Sequence, residues 1–238
     1  MISLLDRLRQ LTLRKPHLIA SSVSEILEKH KVSLWFYYAF IQWRHRWHVW
    51  RSILWIVRNL SPGARILETG AGCGWNLFWL EANGFSSLVG IDIDASAVAA
   101  GNDLVTRHQN RLNLRCDDAL SPTTLGDQVF DVILALNWTY HVPAFDLTRF
   151  LQTYTCHLVP NGVIVMDLID ASFNAHPDNA YLTSDWKRPK SERAPSEYLH
   201  RFDEAGFQCI AASCGYCIIA SFRRHGTIPR SLYVLQHG

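Results

Sequence analysis

Glu68, Gly70, Gly72, Gly74 and Asp92 combine side-chain type and spacing in a way that points to ligand chemistry. The residues leading to Thr69 read as a buried strand, the glycines at alternate positions as a loop, the segment from Trp75 as a helix, and Leu88 to Asp92 as a second strand. A strand, glycine loop, helix and second strand in that order form a nucleotide-binding unit. Glycines let the backbone approach a ligand with no Cβ in the way, and the amides that open the helix point into that space. The Asp92 carboxylate, at the tip of the second strand, is placed to accept both hydroxyls of a ribose. The chain is therefore expected to hold a nucleoside.

A dinucleotide fingerprint needs G-x-G-x-x-G, whose third glycine lets the helix pack tightly on the strand. Trp75 occupies that position here. With Glu68 ahead of the loop the pattern is instead E-x-G-x-G-x-G, which resembles the first motif of class I S-adenosylmethionine-dependent methyltransferases. A carboxylate beside the loop also disfavours a pyrophosphate and suits a ligand with a cationic amino acid end. The resemblance extends from about residue 46 to the end through Asn113-Leu-Arg-Cys-Asp-Asp-Ala-Leu, Phe130-Asp-Val-Ile-Leu-Ala-Leu-Asn and the turn Pro160-Asn161-Gly162 before a fifth strand. Asn161 replaces a family glycine and tolerates the same left-handed turn.

The resemblance implies S-adenosylmethionine as cofactor, S-adenosylhomocysteine as product, and a cofactor site built from Glu68, Gly70, Ala71, Gly72, Asp92 and Ile93, with Ile93 lying on the adenine face. It also implies a carboxylate for the adenine amino group, supplied by Asp118 followed by Ala119 or by Asp117. Asn137 and Asp167 fall at strand ends, where ligands bind in open α/β sheets. Methyl transfer is an in-line displacement in which the enzyme chiefly positions the acceptor. A hydroxyl acceptor also needs a base, and His141, in the loop after the fourth strand, is the first candidate because the ordinary histidine pKa is near 6.5. The same loop keeps the ends of an Asn-Pro-Pro-Tyr motif as Asn137 and Tyr140 but lacks both prolines, so these two read as pocket lining.

Trp43, Trp47 and Trp50 share one face of a helix by their spacing, flanked by Arg44, Arg51, His45 and His48. That stripe either packs over the sheet or caps an acceptor pocket. On the second account Trp43 and Trp47, with Tyr140 and Asp167, contact the substrate, and His45 and His48 are secondary base candidates. Basic residues beside aromatics also suit peripheral membrane or homodimer contact.

The elements that position these residues follow from pattern. Residues 1–60 carry ten Lys or Arg against three acids and read as a helical cap, interrupted at Pro16, ahead of a methyltransferase-like domain over 61–238. Strands are expected near 65–69, 87–92, 112–116, 130–136, 161–167, 207–213 and 231–236, with helices between. This is a Rossmann-like α/β three-layer sandwich: a seven-stranded, mostly parallel sheet whose last strand is antiparallel and lies at an edge. The stretch between Asp170 and Pro195 is a candidate lid.

No signal peptide is apparent and the longest apolar run is too short to span a bilayer, so a cytoplasmic location with six reduced cysteines is expected. Cys214 and Cys217 form a lone C-x-x-C without a second arm, and no metal is expected. Basic charge confined to one segment without a binding module argues against nucleic acid. The expected activity is methylation of a small molecule, on oxygen rather than nitrogen. The alternatives are a sugar or lipid-linked acceptor at a membrane surface, and a regulatory protein that binds the cofactor without turnover.

Overall fold

A computed structural model describes residues 12–32, 46–142, 145–175, 202–224 and 229–238. Its seven strands hydrogen-bond in the order β3-β2-β1-β4-β5-β7-β6. Among the described residues there are six α-helices, and none is long and apolar enough to cross a membrane. The chain divides into two compact units, residues 1–134 and 135–238, each described by itself below.

The first unit holds α1 (Ala20–Lys29), α2 (Trp47–Asn59), β1 (Arg65–Thr69), α3 (Trp75–Ala82), β2 (Ser87–Asp92), α4 (Ala95–His108), β3 (Leu112–Cys116) and most of β4 (Phe130–Ala135). β1 and β2 run parallel with Arg65 opposite Ser87, and β2 and β3 run parallel with Leu88 opposite Leu112. Apart from their first residues, β1 and β2 are almost continuously buried, as strands covered on both faces must be. The run of Ile, Leu and Val that identified them in the sequence is the consequence of that burial. α4 starts where Asp94 caps it by accepting hydrogen bonds from the amides of Ser96 and Ala97.

Close packing of α4 depends on a glycine that the sequence reading did not single out. A Cβ at Gly101 would meet a Leu114 methyl and, at 2.9 Å, the Cys73 carbonyl oxygen. Gly101 therefore lets α4 lie directly against the glycine loop.

The second unit holds α5 (Leu147–Thr155), β5 (Leu158–Ile169), α6 (Glu204–Ser213), β6 (Tyr216–Arg224) and β7 (Arg230–His237). β7 pairs antiparallel with both β5 and β6, with Ile169 opposite Arg230 and Tyr216 opposite His237. Asn161 takes a left-handed φ of 64°. Phe207 on α6 stacks on Tyr233 of β7 at 4.6 Å between ring centroids, which fastens the helix to the sheet.

Three expectations are corrected. Residues 207–213 are helix, not strand: Asp203 caps α6 by accepting from the Gly206 amide, and Phe207, Ile210 and Ala211 recur at helical spacing. The sixth strand begins after Gly215, whose φ of 82° makes the turn. The last strand is not the edge, because β7 is inserted between β5 and β6 and leaves β6 outermost. Residues 12–19, expected to be helical around Pro16, form no helix in the described part. The lid candidate lies largely within 176–201, outside the described residues.

Replacing Gly101 by Ala forces a methyl against Cys73 and Leu114. An overpacking cost of about 1–3 kcal/mol exceeds the gain of up to about 1 kcal/mol in helix propensity. The urea-unfolding midpoint of Gly101→Ala is expected to fall.

Candidate functional site

Glu68 ends a buried strand with its side chain turned inward and is only 1% exposed. One carboxyl oxygen accepts from the Asn76 amide on α3, and the other, Oε2, has no hydrogen-bond partner among the described residues. Burial pushes the Glu68 carboxyl up to about 8, against the Asn76 hydrogen bond and the Arg46 charge, which lower it, and with the Asp92 charge, which adds to the rise. An orphaned buried carboxyl oxygen is costly unless something supplies a donor.

The loop that follows is folded back on β2. Ala71 donates to the Ile91 carbonyl at 3.0 Å, and Gly72 donates to one Asp92 carboxyl oxygen at 2.7 Å. The other Asp92 oxygen accepts from the Asp94 amide at 2.8 Å. Gly70, Gly72 and Gly74 all have positive φ, 66°, 54° and 81°, a conformation that glycine adopts without strain. Burial raises the Asp92 carboxyl, and the amides of Asp94, Gly72 and Ile93 pull it back. Ile93, immediately beyond, is 73% exposed although it is a large apolar residue. Cys73 is fully buried, and that burial lifts its thiol far above its ordinary range, which makes it inert as a nucleophile.

Asp117 and Asp118 are separated by the geometry. Asp117 donates its amide to the Asp92 carbonyl, while its carboxylate accepts from the amides of Asp118, Thr123 and Thr124 and from both threonine hydroxyls. Burial opposes the Asp117 charge, but the Thr124 hydroxyl and these amides outweigh it and hold the carboxyl below its usual value. Asp117 thus fastens its own loop. Asp118 accepts from the Leu120 amide at 2.8 Å through one oxygen, and Ala119 beside it is buried. The glycine loop, Asp92 and Asp117 are thereby tied together by hydrogen bonds within the first unit, and Glu68 is tied to α3 through Asn76.

In the second unit Asn137, with a φ of 68°, donates its amide to Asp167 at 2.7 Å, and its side-chain oxygen accepts from Tyr140 at 3.3 Å and from Arg230 at 3.1 Å. Arg230 also donates to the Tyr140 hydroxyl at 3.1 Å and pairs with the second oxygen of Asp167. Asp167 is 1% exposed and Arg230 12%. Burial disfavours the guanidinium charge, yet Tyr140 and Asp167 together hold it above its ordinary value. The two partners compensate one another. Arg230 was not foreseen; the sequence signal was an arginine opening the last strand just ahead of its apolar run Leu232–Leu235. Asn76 was also missed, although it is the one polar residue in Trp-Asn-Leu-Phe-Trp-Leu.

The same unit has an open-mouthed pocket, about 390 Å³ of space when the open solvent at its mouth is counted. Eight of the eleven described residues around it are apolar, Phe145, Phe202 and Phe207 among them; the others are Thr139, Tyr140 and Asp167. The His141 backbone belongs to the short turn Thr139–His141, and its side chain lies outside the described residues, as do Trp43 and His45. Trp47 and His48 are buried on α2 in the first unit, 8% and 6% exposed. Among the described residues no group of three His, Cys, Asp or Glu side chains could hold a metal.

Fold and loop together define a class I methyltransferase, and comparison with known proteins agrees. Residues 21–215 match the family described as "Methyltransferase domain", and the chain belongs to that family. S-adenosylmethionine is the methyl donor of solved proteins that share its fold. Solved structures that share the fold include magnesium protoporphyrin IX methyltransferase from Synechocystis PCC 6803 with bound S-adenosylhomocysteine, at 14% identity and TM-score 0.65, covering 92% of this chain and 99% of that one. An S-adenosylmethionine-dependent methyltransferase from Clostridium acetobutylicum has the same identity and score over 88% and 99%. EEF1A lysine methyltransferase 2 of Danio rerio is 38% identical over 76 residues, 31% of this chain and 33% of that protein. The match thus spans about a third of that curated relative.

The cofactor's chemistry fits the first unit. Its ammonium would supply the donor that Glu68 Oε2 lacks, and its ribose hydroxyls suit a carboxylate already oriented by two amides.

The raised Glu68 carboxyl has a consequence for the cofactor-free protein. Between its unfolded value of 4.5 and about 8 the folded state holds a proton that the unfolded state releases. This contribution to stability is complete below about pH 4.5 and is lost as pH rises through about 8. Urea titrations from pH 5 to 9 are expected to show that decline, and Glu68→Gln to remove it.

Proposed function

We propose that this enzyme methylates a small molecule, with transfer to a hydroxyl oxygen. The pocket of the second unit carries this reading: its described lining combines apolar walls with a few polar groups, the pattern of a site for a small organic molecule. In the first unit Glu68 would anchor the amino acid end of the cofactor, the Gly70–Gly72 backbone would leave room for it, Asp92 would take the ribose, Ile93 would cover the adenine, and Asp118 with Ala119 would read the adenine edge. The cofactor supplies an electrophilic methyl group on a sulfonium. Transfer breaks the sulfur–methyl bond as the oxygen–methyl bond forms, and the hydroxyl proton passes to a base.

His141 is the proposed base, since it follows Tyr140 directly in the turn that borders the pocket. Asp167 is buried and its charge is taken up by Arg230, so its part is to hold the Asn137 backbone and Arg230 rather than to bind substrate freely. Tyr140 lines the pocket with its hydroxyl oriented by Arg230 and Asn137.

A second reading, methylation of a protein lysine, is favoured by the 38% identity to EEF1A lysine methyltransferase 2 over 76 residues. The two readings separate when cell extract is incubated with the enzyme and methyl-labelled cofactor. Label in a small molecule that has gained one methyl mass is the expected result; label confined to lysine in the protein fraction would replace the first reading with the second.

Asp92→Ala should weaken S-adenosylhomocysteine binding by about 1–3 kcal/mol, the range for lost charge-assisted hydrogen bonds. Unchanged calorimetric affinity would remove Asp92 from the site.

A further inference from the structure

The pocket of the second unit carries more information than its volume. Among the described residues that line it, Asp167 is the one acid; it accepts from the Asn137 amide through one oxygen and pairs with Arg230 through the other. The other described polar groups of the lining, Thr139 and Tyr140, are neutral hydroxyls. Among these described groups a cation would meet no uncompensated carboxylate, because the Asp167 charge is already balanced by Arg230. An uncharged body loses little on entering, and three phenylalanines offer it ring contacts.

Resting on the small-molecule reading above, we infer that this pocket binds the uncharged, ring-bearing apolar body of the methyl acceptor, a neutral aromatic or alicyclic alcohol, with its hydroxyl toward Thr139 and Tyr140. Aromatic contacts from Phe145, Phe202 and Phe207 select the ring. The compensated Asp167–Arg230 pair excludes an ammonium. Substrate choice then depends on apolar area, and each methylene that fits adds a constant increment to the binding free energy.

The probes are 4-alkylphenols from ethyl to hexyl and a matched cation, 4-butylbenzylammonium, titrated calorimetrically into the full chain with S-adenosylhomocysteine present. Phenol affinity is expected to rise about fourfold per methylene until the pocket is filled. 4-Butylbenzylammonium is expected to bind at least about tenfold more weakly than 4-butylphenol, the cost of burying an unpaired charge. Val142→Trp, in a half-buried connecting segment, should abolish the chain-length gain, and Phe202→Ala should reduce it, both with S-adenosylhomocysteine affinity intact as proof of folding.

Affinity independent of chain length, equal binding of the ammonium, or indifference to both substitutions overturns the inference. The outcomes are separable from those for the reaction. Label transferred to a small molecule with no phenol binding sinks the pocket assignment alone. Graded phenol binding with label only in protein lysine keeps an apolar pocket and sinks its assignment to the acceptor.

Discussion

A carboxyl group shut away from water with one oxygen unanswered is the constraint around which the first unit is arranged. Glu68 sits at the end of β1 because the strand needs both faces buried, and Asn76 on α3 satisfies only half of it. The glycine loop between them has to turn through three left-handed residues, and it is stitched to β2 by Ala71 and Gly72. Asp92 closes the arrangement by accepting amides on both oxygens. Each of these features is unfavourable or neutral alone; a bound cation beside Glu68 makes them mutually supportive, which is the proposed reason for their coexistence.

The second unit solves a similar problem internally. Asp167 is buried in β5 and would be costly without Arg230, which reaches it from the antiparallel neighbour β7. Removing one partner of such a pair typically costs about 3–5 kcal/mol. The pair also grips Asn137 and Tyr140, so the segment after β4 is held by side chains rather than by the prolines that its motif lacks. Charge balance at Asp167 is achieved inside the protein, beside a pocket whose described lining is mostly apolar.

Local patterns foretold the first unit well. β1, β2 and β3 fall at 65–69, 87–92 and 112–116 because apolar runs between turn residues have few other outcomes in a parallel sheet. Residues 207–213 were misread because small apolar residues satisfy either period; the Asp203 cap and the Gly215 turn were the decisive signals. The order of the last strands depends on which edge β7 pairs with, and no single residue announces that. Arg230 and Asn76 were illegible for the same reason. Each is a polar residue whose meaning comes from a partner distant in the chain, 63 residues away in the case of Arg230 and Asp167.

The account stands most directly on Glu68. Calorimetric titration of S-adenosylhomocysteine at pH 7, in two buffers of different ionisation enthalpy, counts the protons that move on binding. A carboxyl raised to about 8 in the free protein is mostly protonated at that pH and must ionise to meet an ammonium, so release of about one proton is predicted, and none from Glu68→Gln. Binding with no proton release, or release that persists in Glu68→Gln, would contradict the proposed role of the buried carboxyl.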